Sequence, residues 1–180
     1  MLEITVPAIE MWDERIGEFV YMKEQTLKLE HSLVSLSKWE SKWNKAFLSK
    51  REKTTEETID YIKCMTLTQN VNPNVYKCLT RHNIEQITNY IDAPMTATSF
   101  AKDTTKRGNN EVVTAELIYY WMISLGIWPE CQKWHLNKLL ALIRVCEIKN
   151  APPKKRSAKD IMSRNAALNA ARRKQLNSKG

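Results

Sequence analysis

Two Cys–His pairs share a spacing that suits metal coordination: Cys131 with His135, and Cys78 with His82. On a helix, residues four apart lie on one face, and two such pairs supply the four ligands of a tetrahedral Cys2His2 zinc site. The short C-x2–4-C knuckle of such sites is missing, and both pairs sit inside apolar helical patterns. A buried thiol beside a capping or surface imidazole accounts for them as well. Nucleophilic catalysis needs a Ser or Cys beside a base and an oxyanion hole. There is no G-x-S-x-G, no Walker A and no G-x-G-x-x-G, and 4 Gly are too few for tight phosphate or oxyanion loops. His31 and Ser32 are neighbours only in sequence. Glu56 and Glu57 fall in the first turn of an expected helix, where the helix dipole favours carboxylates. The expectation is a non-enzymatic protein with no metal and no cofactor.

The basic residues offer a different chemistry. The net charge of +8 is unevenly spread: residues 1–150 carry 19 Lys and Arg against 19 Asp and Glu, whereas residues 151–180 carry 9 against Asp160 alone. The excess comprises Lys154, Lys155, Arg156, Lys159 and Arg164, then Arg172, Arg173 and Lys174, with Lys179 beyond them. Such a cluster can neutralise phosphates, with steep salt dependence. It has no aromatic residues for base stacking. A solvated tail, an arm docking on an acidic partner and a nucleic-acid contact all remain open. Among the 6 Trp, Trp39, Trp43, Trp121, Trp128 and Trp134 are candidates for a partner-binding groove, since Trp is enriched at interfaces. Core packing is the competing role for each.

These residues need elements to position them. Leu2–Val6 alternates apolar and polar as a half-buried strand does, with Pro7 as its end or edge. A second strand signal runs from Glu18 to Glu30, with a turn at residues 14–17 between them. Leu33, Leu36, Trp39 and Trp43 then recur at helical spacing, closed by Phe47 and Leu48, with Ser32 as N-cap. Thr54 with Glu57 has the capping-box form and opens a second helix through Ile59, Ile62, Met65 and Leu67. Asn72–Pro73 opens a short helix, Asn83 a further one that stops before Pro94. Residues 106–110 form an exposed loop tip. Thr114–Leu125 is the most apolar helix and is expected to be central, with Gly126 at its C′ position. Glu130–Ile148 is a long helix, and Asn150 to Pro153 breaks it. A last, weakly amphipathic helix capped by Ser157 or Asp160 runs through Leu176.

The fold expected is therefore α+β and predominantly helical. It comprises a small antiparallel β element in residues 1–30, a bundle-like helical body in 31–150 and a basic helical or partly disordered arm in 151–180. The four cysteines are widely spaced, and free thiols are expected. No stretch approaches the roughly 18 apolar residues of a membrane span, and the first residues lack the basic and apolar regions of a signal peptide. A soluble protein is expected.

Several runs resemble a family of bacteriophage tail assembly chaperones: Leu29–Trp43 (LEHSLVSLSKWESKW), Thr55–Tyr61 (TEETIDY), Asn70–Tyr76 (NVNPNVY), Ala93–Ala97 (APMTA), Gln132–Leu140 (QKWHLNKLL) and Ile161–Lys174 (IMSRNAALNAARRK). The resemblance implies a helper in the host cell cytoplasm. It would coat the long helical tape-measure protein and keep it soluble until tail-tube subunits polymerise around it. Self-association is a further expectation. The alternative is a structural virion or nucleic-acid-associated protein that uses its basic tail.

Overall fold

The computed structural model describes residues 1–13, 17–100, 112–152 and 158–177, and excludes the side chains of Asp13 and of residues 158–161. The loop tip expected at 106–110, the cap at Ser157 and the cations Lys154, Lys155 and Arg156 fall outside the described residues. The chain forms two compact units, Met1–Glu147 and Ile148–Gly180.

The first unit opens with four strands, β1 (Leu2–Val6), β2 (Ile9–Asp13), β3 (Glu18–Met22) and β4 (Gln25–Leu29). The single strand expected over 18–30 is thus two, and the chain resumes a strand after Pro7. β1 pairs antiparallel with β4 from Leu2↔Leu29 to Val6↔Gln25. β2 pairs with β3 from Ile9↔Met22 to Asp13↔Glu18. Both ladders keep one register, so the four strands make a single long ribbon interrupted where Pro7 has no N–H to donate. Gly17, at φ +65, precedes β3, and residues 14–16 of the turn expected over 14–17 lie outside the described residues. At the base, one face of the ribbon is core: Ile4, Val6, Leu27 and Leu29 are all at most 2% exposed. Beyond the interruption the buried face is the opposite one. Met22 is buried there, Met11 and Val20 pack beside it, and the Met11 sulfur lies 3.8 Å from the Cys78 thiol. Two-stranded ribbons twist strongly, which lets the two halves present opposite faces to the body.

Six helices follow: α1 (Leu33–Trp43), α2 (Thr55–Met65), α3 (Arg81–Asp92), α4 (Ala115–Ser124), α5 (Leu136–Asn150) and α6 (Ala158–Leu176). Local sequence signals set most starts. Ser32 caps α1 reciprocally with Ser35, and Thr54 caps α2 reciprocally with Glu57. α3 begins earlier than expected, because Thr80 is its N-cap and Asn83 is the third helical residue that caps back. The Asn83 amide also donates to the Thr5 carbonyl at 3.1 Å, joining α3 to β1. α1 stops at Trp43, with Asn44 left-handed at φ 51, so Phe47 and Leu48 lie beyond the helix. Leu67 lies past the end of α2. Pro73–Lys77 is a 3₁₀ turn. α5 begins at Leu136, because residues Pro129–Lys133 form a separate 3₁₀ turn. No helix among the described residues is long and apolar enough to cross a membrane.

The core joins Leu33, Leu36 and Trp39 of α1 to Tyr61, Ile62 and Met65 of α2, Ile118 of α4, and Leu136 and Leu139 of α5, all at most 2% exposed. Two buried carboxylates hold its helices in place. Glu40 accepts the Phe47 N–H at 2.8 Å and the Ala115 N–H at 2.7 Å. It therefore holds the start of α4 against α1, with its charge at a helix N-terminus where the dipole favours it. Glu57 accepts from Arg51 at 2.8 Å and Lys45 at 2.9 Å, and from the Thr54 N–H at 3.0 Å. The Arg51 and Lys45 hydrogen bonds hold its pKa down at about 2.

Replacing Glu40 by Gln leaves a single acceptor oxygen for two buried N–H groups. Urea denaturation of Glu40→Gln is expected to show a loss of about 1.5–3 kcal/mol, as for a hydrogen bond to a charged group.

Candidate functional site

A buried polar cluster in the body is built around two histidines. His31, between β4 and α1, and His135, just before α5, are both buried. Their rings lie 5.1 Å apart, edge to face. The Tyr61 hydroxyl and His31 Nδ1 share a hydrogen bond of 2.6 Å. His135 Nε2–H donates to the Tyr90 carbonyl at 2.9 Å, and its Nδ1 accepts the Asn137 N–H at 3.3 Å. That pair of contacts fixes the neutral tautomer. The Tyr90 hydroxyl donates to Glu30 at 2.7 Å, and Glu30 also pairs with the N-terminal ammonium at 2.8 Å. Burial and the neighbouring His135 lower the His31 pKa to about 4; burial lowers that of His135. Burial also raises the pKa of Tyr61 and Tyr90. The arrangement resembles a catalytic cluster in its residue types. Each imidazole nonetheless has its hydrogen bonds inside the body, and the chain's own backbone occupies the approach to His135. The cluster joins elements together.

Neither metal-spaced pair lies within one helix. Cys131 is buried in the 3₁₀ turn and His135 precedes α5, so the two do not share a helical face. His82 is exposed at the start of α3, while Cys78 approaches Met11. All four cysteines are free, and only Cys131 is buried. Among the described residues no group of three or more His, Cys, Asp or Glu could hold a metal ion.

The five tryptophans proposed for a partner groove differ widely in exposure. Trp39 is fully buried, with its indole N–H donating to the Glu57 carbonyl at 2.9 Å; it has no surface to offer a partner. Trp43 is half-buried, stacked on Trp39 and bonded to Asp60 at 2.9 Å. Trp121 lines a shallow cleft with Leu140, Ile143 and Arg144 of α5. Trp134 is partly exposed under the Lys138 ammonium, 4.5 Å from its ring. Trp128 is 76% exposed.

Two apolar faces stand open. α4 buries Ala115, Ile118 and Met122 on one side and exposes Tyr120 (64%) and Ile123 (80%) on the other; Trp128 follows past the left-handed turn at Gly126 that ends the helix. Apolar residues lie on every side of α4, so periodicity alone does not show which side faces out, although Glu116 and Ser124 are both on the exposed one. The helix expected to be central is thus a surface helix. At the ribbon tip, Trp12, Phe19 and Tyr21 are each more than half exposed. Trp12 stacks edge-on against Phe19 across the strands, 5.1 Å between centroids. The strand signal from Glu18 onward covers Phe19 and Tyr21, whereas Trp12 lies in β2, beyond the strand end that Pro7 suggests. A trough of about 170 Å³ between α2 and α3, lined by Ile62, Ile84, Ile87 and Ile91, is a smaller apolar recess. In the second unit, Arg164, Arg172, Arg173 and Lys174 of α6 are exposed; the Lys159 side chain is outside the described set.

Because His31 is held neutral when folded, the unfolded chain binds the extra proton between its ordinary pKa of 6.5 and the folded value of about 4. Stability is therefore full above pH 6.5 and is lost as pH falls toward 4, by up to ~3 kcal/mol from this group. Glu57 adds a loss below its ordinary pKa of 4.5, toward about 2. In urea titrations across pH 4.5–7, His31→Gln is expected to flatten the slope. An unchanged slope would assign it elsewhere. Compared with family models, curated proteins and solved structures, the chain matches none.

Proposed function

We propose that this protein is a non-enzymatic tail assembly chaperone of a long-tailed bacteriophage, which binds the tape-measure protein in the host cytoplasm and keeps it soluble. The observation that supports this reading most is the open face of α4. α4 is mostly apolar, and a helix of that kind is ordinarily buried on more than one side; this one buries Ala115, Ile118 and Met122 and presents Tyr120 and Ile123 beside Glu116 and Ser124, with Trp128 exposed beyond the turn. Exposed apolar side chains of this kind suit the apolar stripe of a partner helix. Burying three such side chains yields roughly 5–8 kcal/mol, against about 4–15 kcal/mol for immobilising the partners. One contact is thus weak, and many copies along one long helix gain by avidity.

The exposed cations of α6 favour a second reading, a virion or nucleic-acid-associated protein. It predicts a mobility shift with DNA that fades as salt rises and disappears without residues 151–180.

Co-expression separates the two. The tape-measure protein is expected to stay soluble and co-purify with this chain. The double variant Tyr120→Ser, Ile123→Lys is expected to melt within about 2 °C of the parent, as exposed substitutions do, and to capture at least about tenfold less partner. Recovery of both proteins soluble and unbound would overturn the chaperone reading.

A further inference from the structure

We propose that the exposed face of the ribbon tip is the docking site for the basic helix α6 of a second copy of this chain. The face is made by Glu10 and Trp12 of β2 and Phe19 and Tyr21 of β3, which share one side of the ladder by register, Glu10 opposite Tyr21 and Trp12 opposite Phe19. All four are exposed. They continue the side of the ribbon that is core at its base, so the alternation that builds the core there leaves aromatic surface uncovered at the tip. Beside the face lies a cleft of about 430 Å³ lined by Tyr21, Met22, Lys23, Glu24, Gln25 and Asn72. An aromatic ring and a carboxylate at one cleft are the groups a guanidinium takes, by stacking and by charge.

The charges at the two surfaces are opposite. Asp13 and Glu18 pair on the far side of the ladder, and the acids at the tip face are Glu10 and, at the cleft, Glu24 beside Lys23, whereas the exposed side chains of α6 include Arg164, Arg172, Arg173 and Lys174. α6 also has the matching pattern. Arg164, Leu168, Arg172 and Leu176 recur every four residues, which alternates cation and aliphatic group along one side of the helix. Their side chains are exposed, Leu168 by 46% and Leu176 by 76%. From Arg164 to Arg172 the helix rises about 12 Å, close to the ~14 Å length of a five-residue strand. Two or three turns of α6 therefore cover the tip face. Tip-to-tip pairing would set like charges together, so the occupant is α6 and not a second ribbon. The α4 face takes no part in this contact.

Sedimentation of the full chain tests it. Self-association is expected at low salt and is expected to weaken as the ionic strength exceeds about 0.5 M, where charges beyond a few ångströms are screened. A ribbon variant, Glu10→Arg with Glu24→Arg, and a helix variant, Arg164→Glu with Arg172→Glu, should each associate at least about tenfold more weakly. An equimolar mixture of the two should regain association, because the unaltered helix of one then meets the unaltered ribbon of the other, and the reversed ribbon the reversed helix. Melting curves matching the parent confirm that each variant folds; Trp12→Ser with Tyr21→Ser serves as a second ribbon variant. A parent chain monomeric at about 100 µM in low salt, association that ignores the ribbon substitutions, or a mixture that fails to recover it, would each overturn the proposal. So would α6 binding DNA while the chain stays monomeric.

Discussion

The Leu136 N–H donates to the His31 carbonyl over 2.7 Å, and around that hydrogen bond the ribbon, α1, α3 and α5 meet. Ser32 and His135 form an isolated antiparallel bridge at the same point. Glu30, one residue upstream, reaches Tyr90 of α3 and the chain's own N-terminus. Ser32 caps α1 in the next residue. A stretch of only three residues, Glu30 to Ser32, thus carries the connections among four elements. Buried polar groups cost free energy unless paired; among the described residues no buried side-chain N or O lacks a partner. That condition makes the neutral histidines a constraint on the whole body: burial disfavours charge on either ring, and a proton on the His135 Nδ1 would face the Asn137 N–H that it now accepts.

A body satisfied internally gives meaning to what it leaves outside. Trp39, Leu33 and Leu36 are fully enclosed, and Glu40 and Glu57 fasten α1 to its neighbours. The open faces at α4 and the ribbon tip therefore do not belong to an unfinished core. They are apolar surface on elements whose other sides are already packed. The two faces also differ in chemistry. The α4 face is aliphatic and aromatic, with Glu116 as the acid of its first turn. The ribbon tip mixes aromatics with carboxylates. One suits an apolar helix and the other a cationic one.

Much of this architecture was legible in the residues. The N-cap at Ser32, the capping box at Thr54, the proline-led turn at Asn72–Pro73 and the left-handed Gly126 all rest on local signals that the sequence displays directly. The α+β, predominantly helical class followed from the same signals. What was not legible depends on long-range contacts. Asn83 read as a cap because its type suits one; its place three residues into α3 is settled by Thr80 and by the Thr5 carbonyl. β2 was hidden because Pro7 ends a ladder locally, although the register across it is unbroken. Trp39 and Trp128 look alike in sequence, yet one is enclosed by α1 and α2 and the other is largely in solvent. The pairing of His31 with His135 spans more than a hundred residues and leaves no local trace.

Hydrogen–deuterium exchange of the full chain, free and mixed with a purified tape-measure helix fragment, tests the central claim most directly. The account predicts added protection at α4 and across residues 125–128, with the His31–Leu136 junction unchanged because it is already closed. Protection confined to residues 158–177, or none at all with the fragment bound in excess, would contradict it.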